Sequence, residues 1–102
     1  MQDVANDNVL DFTLAKNRSL DYEGYDIPFY TQQSLNLYVF NKIQPGGFLI
    51  AVLANDLMGA VSKCDAWNHH HMKDICNFVY NRIPSNAWGS YHAVQKYLES
   101  AE

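Results

Sequence analysis

The stretch Pro45 to Val61, reading PGGFLIAVLANDLMGAV, most constrains what this chain can fold into. From Phe48 onward it is apolar on every side except at Asn55 and Asp56, and a helix that is apolar all round belongs in the middle of a fold. At about 14 residues it is too short to span a bilayer, which takes roughly 20. The stretch therefore reads as one buried central helix whose neighbours supply the polar outer faces. Asn55 and Asp56 then need partners, because a buried polar group left unpaired costs about 1–3 kcal/mol.

Helix signals recur on both sides. Thr31 reads as the N-cap of a first helix from Gln32 to about Lys42, with Leu35, Tyr38, Val39 and Lys42 on its inner face. Pro45, Gly46 and Gly47 end it and turn the chain steeply into the central helix. Asp65 reads as the cap of a third helix, Ala66 to about Arg82, with Trp67, His71, Ile75, Cys76, Phe78 and Val79 inward. Pro84 stops that helix, and Ser90 caps a short last one from Tyr91 to Leu98, with Val94, Tyr97 and Leu98 inward. The expected fold is all-α: a compact four-helix orthogonal bundle spanning residues 30–102, with a buried central helix.

Residues 1–29 read as an acidic N-terminal arm. Residues 1–26 carry six acids against Lys16 and Arg18, whereas residues 27–102 carry five charges of each sign, so the arm holds the whole net charge of −4. Residues 1–8 are expected to be disordered. A short helix or strand is expected near Val9 to Ala15, and an extended strap over the body from Phe12 to Tyr30. Asp21, Tyr22, Glu23, Tyr25 and Asp26 are candidate partner-binding residues, since they combine steering charge with aromatic anchors. The charge balance lacks the basic footprint of a nucleic-acid binder. The acidic start is the reverse of a signal peptide, and no segment is long enough for a membrane helix. A cytoplasmic protein is expected, with no membrane and no nucleic acid among its partners. At 102 residues a single core is small, and a homodimer would enlarge it.

Several residues invite a chemical reading. His69, His70 and His71 are consecutive, so on a helix they point about 100° apart and at most one or two could share a ligand, while the helical i, i+4 positions offer only Asp74. No metal site and no cofactor are expected. Cys64 and Cys76 read as small core residues that a cytosolic setting keeps reduced. No phosphate loop, nucleophile elbow or paired-carboxylate spacing is present. Asp56 has two readings: a general base with a raised pKa, or an acceptor that locks the fold. Locking is favoured, through a structural polar cluster of Asn55, Asp56, Asn68, Trp88 and Ser90 that staples the last loop onto the central helix.

Three quoted segments, YVFNKIQPGGFLIAVLANDLMGAV, Ala66-Trp67-Asn68 and FVYNRIPSNAWGS, resemble a family of small proteins encoded by bacteriophages and related mobile elements. In that family a PGGFL-A-VL-NDL segment is followed by a YN-IP-WGS segment. The resemblance runs from about Tyr30 to Leu98, and departs from the pattern at Lys63-Cys64 and in the histidine run. It implies a genomic setting rather than a mechanism. The functional expectation is a phage-like accessory protein, not an enzyme, that binds and modulates or inhibits a host protein, which a defence-system component would exemplify. The alternatives are a small-ligand or nucleotide-binding domain using the Gly46-Gly47 turn, and an enzyme using Asp56 with a histidine. Since no structural metal is expected, a chelator should change neither the helicity nor the melting temperature of the purified protein; a large loss of helicity would mean the histidine run had been misread.

Overall fold

The computed structural model describes residues 18–100, and within them it is helical, with no strand. The expected short element at Val9 to Ala15 and the early part of the strap lie outside the described residues. Helix α1 runs Phe29–Asn41, α2 Gly47–Leu53, α3 Leu57–Lys63, α4 Ala66–His70, α5 Met72–Arg82 and α6 Tyr91–Glu99, with a 3₁₀ turn at Ser85–Ala87 before the last. Two of the four expected helices are thus each broken in two.

The starts and stops have local causes. Pro28 opens α1, its carbonyl accepting the Thr31 and Gln32 N–H groups at 3.0 Å. The helix therefore begins before Thr31, which is not a cap. Its buried hydroxyl instead donates to Asn68 Oδ1 at 2.7 Å. Lys42 ends α1 in the left-handed region at φ 58°, and its ammonium lies 4.7 Å from the centre of the Tyr97 ring. Asp65 caps α4 by accepting the Asn68 N–H at 2.7 Å, and Ser90 caps α6 by accepting that of Ala93 at 3.0 Å, both as the sequence predicts.

The long third helix breaks at His71. Its Nδ1–H donates to the Trp67 carbonyl at 2.7 Å, the acceptor its backbone N–H would use in a continuing helix. That N–H turns instead to Asn68 O at 3.1 Å. A side chain that competes for a backbone carbonyl interrupts the helical ladder. Trp67, expected inside, is 61% exposed.

The core gathers on α2, where Leu49, Ala51, Val52 and Leu53 are all buried. Around it stand Leu35, Tyr38 and Val39 of α1, Ile75, Phe78 and Val79 of α5, and Val94 of α6. The Tyr38 hydroxyl donates to Ala87 O at 2.7 Å, and burial pushes that phenol up to about 12. The expected central helix is only half central. It stops at Leu53, and in α3 Ala60 alone is buried.

The end of the arm is a strap. Tyr22 stacks on the buried Phe78 ring with centres 4.5 Å apart, and Tyr25 meets the same ring edge-on at 5.2 Å. Asn36, itself buried, holds the strap by accepting at one oxygen the Leu20 N–H at 3.1 Å and the Tyr22 hydroxyl at 2.8 Å. Burial drives the Tyr22 phenol well above its usual range. Asp26 joins the strap to the α4–α5 junction, its carboxylate 3.4 Å from His71 Nε2 and its N–H donating to Asp74 at 3.2 Å. Tyr22→Ala should cost about 3 kcal/mol, through the lost stack and the lost hydroxyl bond to Asn36 Oδ1, which keeps the Leu20 N–H. Tyr22→Phe, which keeps the stack, should cost about 1 kcal/mol. Urea denaturation with an unchanged slope measures both, and equal costs would mean that the ring contributes nothing.

Candidate binding site

The break between α2 and α3 is built by two adjacent residues with opposite tasks. Asn55 adopts φ 63°, a left-handed conformation that asparagine tolerates better than most side chains. The N–H groups of Asn55 and Asp56 return to the carbonyls of Val52 at 3.1 Å and Ala51 at 2.9 Å, the double closure that ends a helix. Asp56 then starts the next helix, its carboxylate accepting the Gly59 N–H at 2.9 Å. Gly59 has no side chain where that carboxylate lies, and a Cβ there would collide with it. Stop and start thus follow within one dipeptide.

Asp56 is half-buried and fully engaged. Its second oxygen accepts the Tyr91 hydroxyl at 2.5 Å. That bond, with the Gly59 N–H, holds its carboxyl below the usual carboxylate range, and the same bond raises the Tyr91 phenol. A carboxylate held ionised by two donors is a cap and a tether, the opposite of a general base with a raised pKa.

The expected polar cluster does not assemble as one group. Asn55 is exposed. Asn68 is buried elsewhere, against Thr31. The Ser90 hydroxyl accepts the Ala93 N–H at the start of α6 rather than reaching Asp56. Trp88 packs against Tyr80 with ring centres 5.8 Å apart rather than reaching Asp56. The last loop is nevertheless stapled to the α2 end, by the Gly89 N–H on Leu53 O at 2.7 Å and by the Tyr91–Asp56 bond. Tyr91 is the residue that sequence reasoning missed; its position directly after the Ser90 cap was the available signal.

Two of the clefts among the described residues border α2. One, of about 440 Å³, lies between the α2–α3 break, α5 and the Trp88 loop, and is lined by Val52, Asn55, Cys76, Asn77, Val79, Tyr80 and Trp88. The segments PGGFLIAVLANDLMGAV and FVYNRIPSNAWGS meet here. Burial pushes the Cys76 thiol up, away from the thiolate that nucleophilic chemistry needs. The other cleft, of about 290 Å³, contains Gly46, Gly47, Ser34 and Lys63, with the Lys63 stem 3.1 Å from where a Gly47 Cβ would lie.

Beside the break, α3 turns an apolar face to solvent: Leu57, Met58 and Val61 are 64%, 79% and 49% exposed. Of the arm candidates, Asp21, Glu23 and Asp26 are exposed, but Tyr22 and Tyr25 lie partly buried against Phe78 and are not free anchors. His69 and His70 are exposed. Among the described residues no three His, Cys, Asp or Glu side chains gather as a metal-holding group, and no helix is long and apolar enough to cross a membrane. Comparison with protein-family models, with curated proteins and with solved structures returned no match.

The Asp56 tether has a pH signature. Its folded carboxyl is depressed, so its stabilisation is present above the ordinary carboxylate value and is lost as pH falls through the folded value. Tyr91→Phe should raise the Asp56 titration midpoint seen by carboxyl-carbon NMR. It should also lower the melting temperature at pH 7 more than at pH 3. An unmoved midpoint would show that the tether is not formed in solution.

Proposed function

We propose that this chain is a small accessory protein of bacteriophage type that binds and modulates or inhibits a host protein in the host cytoplasm, without catalysing a reaction. The observation that supports this reading is the outer face of α3, where Leu57, Met58 and Val61 stand in solvent beside the Asp56–Tyr91 tether. Apolar side chains gathered on one exposed face mark interaction sites more often than singly scattered ones do. The face is presented by a helix pinned at its start, so little ordering cost opposes association. In this reading each broken helix acts as one unit, and the scaffold is a four-unit orthogonal bundle.

The net charge of −4 favours a protein partner over nucleic acid. A second reading, a small anionic ligand in the cleft at Gly46 and Gly47, draws on the Lys63 side chain beside it. The seven-residue α2 adds little field of its own there. A thermal-shift screen against nucleotides separates the two readings, since a ligand at 100 times its Kd adds about 2.7 kcal/mol.

Met58→Asp and Leu57→Asp should leave folding stability within about 0.5 kcal/mol of wild type, because both side chains are exposed. Each should abolish recovery of the partner that the tagged wild-type protein retains from bacterial lysate. Failure of the wild type to retain any stable partner, or equal recovery by the variants, refutes the proposal.

A further inference from the structure

The larger cleft carries no charged side chain on its lining. Val52 and Val79 are its buried apolar residues, Asn55 and Asn77 contribute carboxamides, and Tyr80 and Trp88 contribute rings. The planes of those rings are inclined at 66°, so they form two non-parallel walls, and Tyr80 is 73% exposed. The Trp88 indole N–H and both carboxamides have no hydrogen-bond partner among the described residues. None of them is sealed from solvent.

The parts are held in place from outside the cleft. Trp88 sits between Ala87, whose carbonyl accepts the Tyr38 hydroxyl, and Gly89, whose N–H is bonded to Leu53 O, each at 2.7 Å. Asn55 is fixed by the double closure that ends α2. Unpaired polar groups around an apolar floor, on a rigid frame, are the usual composition of a ligand site.

We propose that this cleft binds an uncharged, extended, proline-rich peptide segment. An indole N–H only donates, and the two carboxamides bring four N–H donors beside their two acceptor oxygens, so acceptor oxygens are outnumbered on the polar lining by N–H donors. A polyproline II segment is their complement: it makes no internal hydrogen bonds, its carbonyls are free to accept, and its prolines have no N–H to satisfy. Its rings pack on aromatic walls, and it is stiff before it binds. The neutral lining disfavours phosphates and carboxylates, which need charged or densely bonded partners when desolvated. The inference rests on the protein-binding reading only in taking the ligand to be polypeptide, and it uses residues other than the α3 face.

The test uses the full chain carrying Trp67→Phe, which leaves Trp88 as the sole indole of the two in the sequence. A synthetic polyproline peptide, a glycine-serine peptide of equal length and a nucleoside are titrated separately against it. Polyproline alone should shift Trp88 fluorescence saturably and move the Asn55 and Asn77 side-chain amide signals in NMR spectra. Trp88→Phe should weaken binding roughly tenfold, the loss of one good hydrogen bond. Asn77→Ala, at an exposed position, should weaken it in the same direction without changing the melting temperature, and serves if Trp88→Phe fails to fold. No saturable response to polyproline, an equal response to the glycine-serine peptide, saturation by the nucleoside alone, or undiminished binding by Asn77→Ala overturns the inference. If polyproline fails while partner recovery remains sensitive to Met58→Asp, this inference falls and the protein-binding reading stands.

Discussion

The conformation of Asn55 and the bond network of Asp56 decide most of what this molecule presents to its surroundings. Had the chain continued as a helix past Leu53, the apolar side chains that follow would have been carried into the core. The left-handed turn at Asn55 redirects it, and the Asp56 cap restarts it with Leu57, Met58 and Val61 outward. The same turn brings Asn55 to the cleft above α5. The energetic cost of a non-glycine residue at positive φ is of order 1 kcal/mol. The backbone closures to Ala51 and Val52 oppose that cost.

Buried polar residues act as pins between segments distant in the chain. Asn36 takes donors from the strap, Thr31 joins α1 to Asn68 at the start of α4, and the Tyr38 and Tyr97 hydroxyls reach the carbonyls of Ala87 and Val39. Each such bond adds only about 1 kcal/mol net, but leaving one partner unpaired costs more than the bond contributes. Such groups therefore select one arrangement of short helices among many that an apolar core alone would accept. Asn41 Oδ1 is an exception, buried with no hydrogen-bond partner, and nothing in the described structure explains it.

The two surfaces for which binding is proposed follow from this frame. The α3 face is exposed because its helix begins at a break, and the neutral cleft exists because the Trp88 loop is tied to Leu53 and Asp56 by Gly89 and Tyr91. Both lie on elements fixed by hydrogen bonds at their ends, which lowers the entropy lost on association. Asp56, the residue with the strongest claim to chemistry in an apolar sequence context, is consumed by structure instead. Its carboxylate is the joint between the two surfaces.

Short-range signals were legible in the sequence. The all-α class, the Asp65 and Ser90 caps, and the inner stripes Leu35-Tyr38-Val39 and Ile75-Phe78-Val79 all depend on residues within a turn or two of one another, where periodicity and capping chemistry act. The Asn55-Asp56 pair also carries a stop-then-cap signal, but the continuous apolar run around it reads more strongly as one helix. Only the tertiary structure decided between those two, because closing α2 at Asn55 is favourable when Gly89 and Tyr91, more than 30 residues away, arrive to hold Leu53 O and Asp56. The break at His71 likewise depends on a side chain choosing a backbone carbonyl while Asp26 of the strap stands at its other face. Hydrophobic pattern states which residues prefer to leave water; it does not state which distant segments will meet, and it was those meetings that placed Asn55, Tyr80 and Trp88 around one cleft and Tyr91 on Asp56.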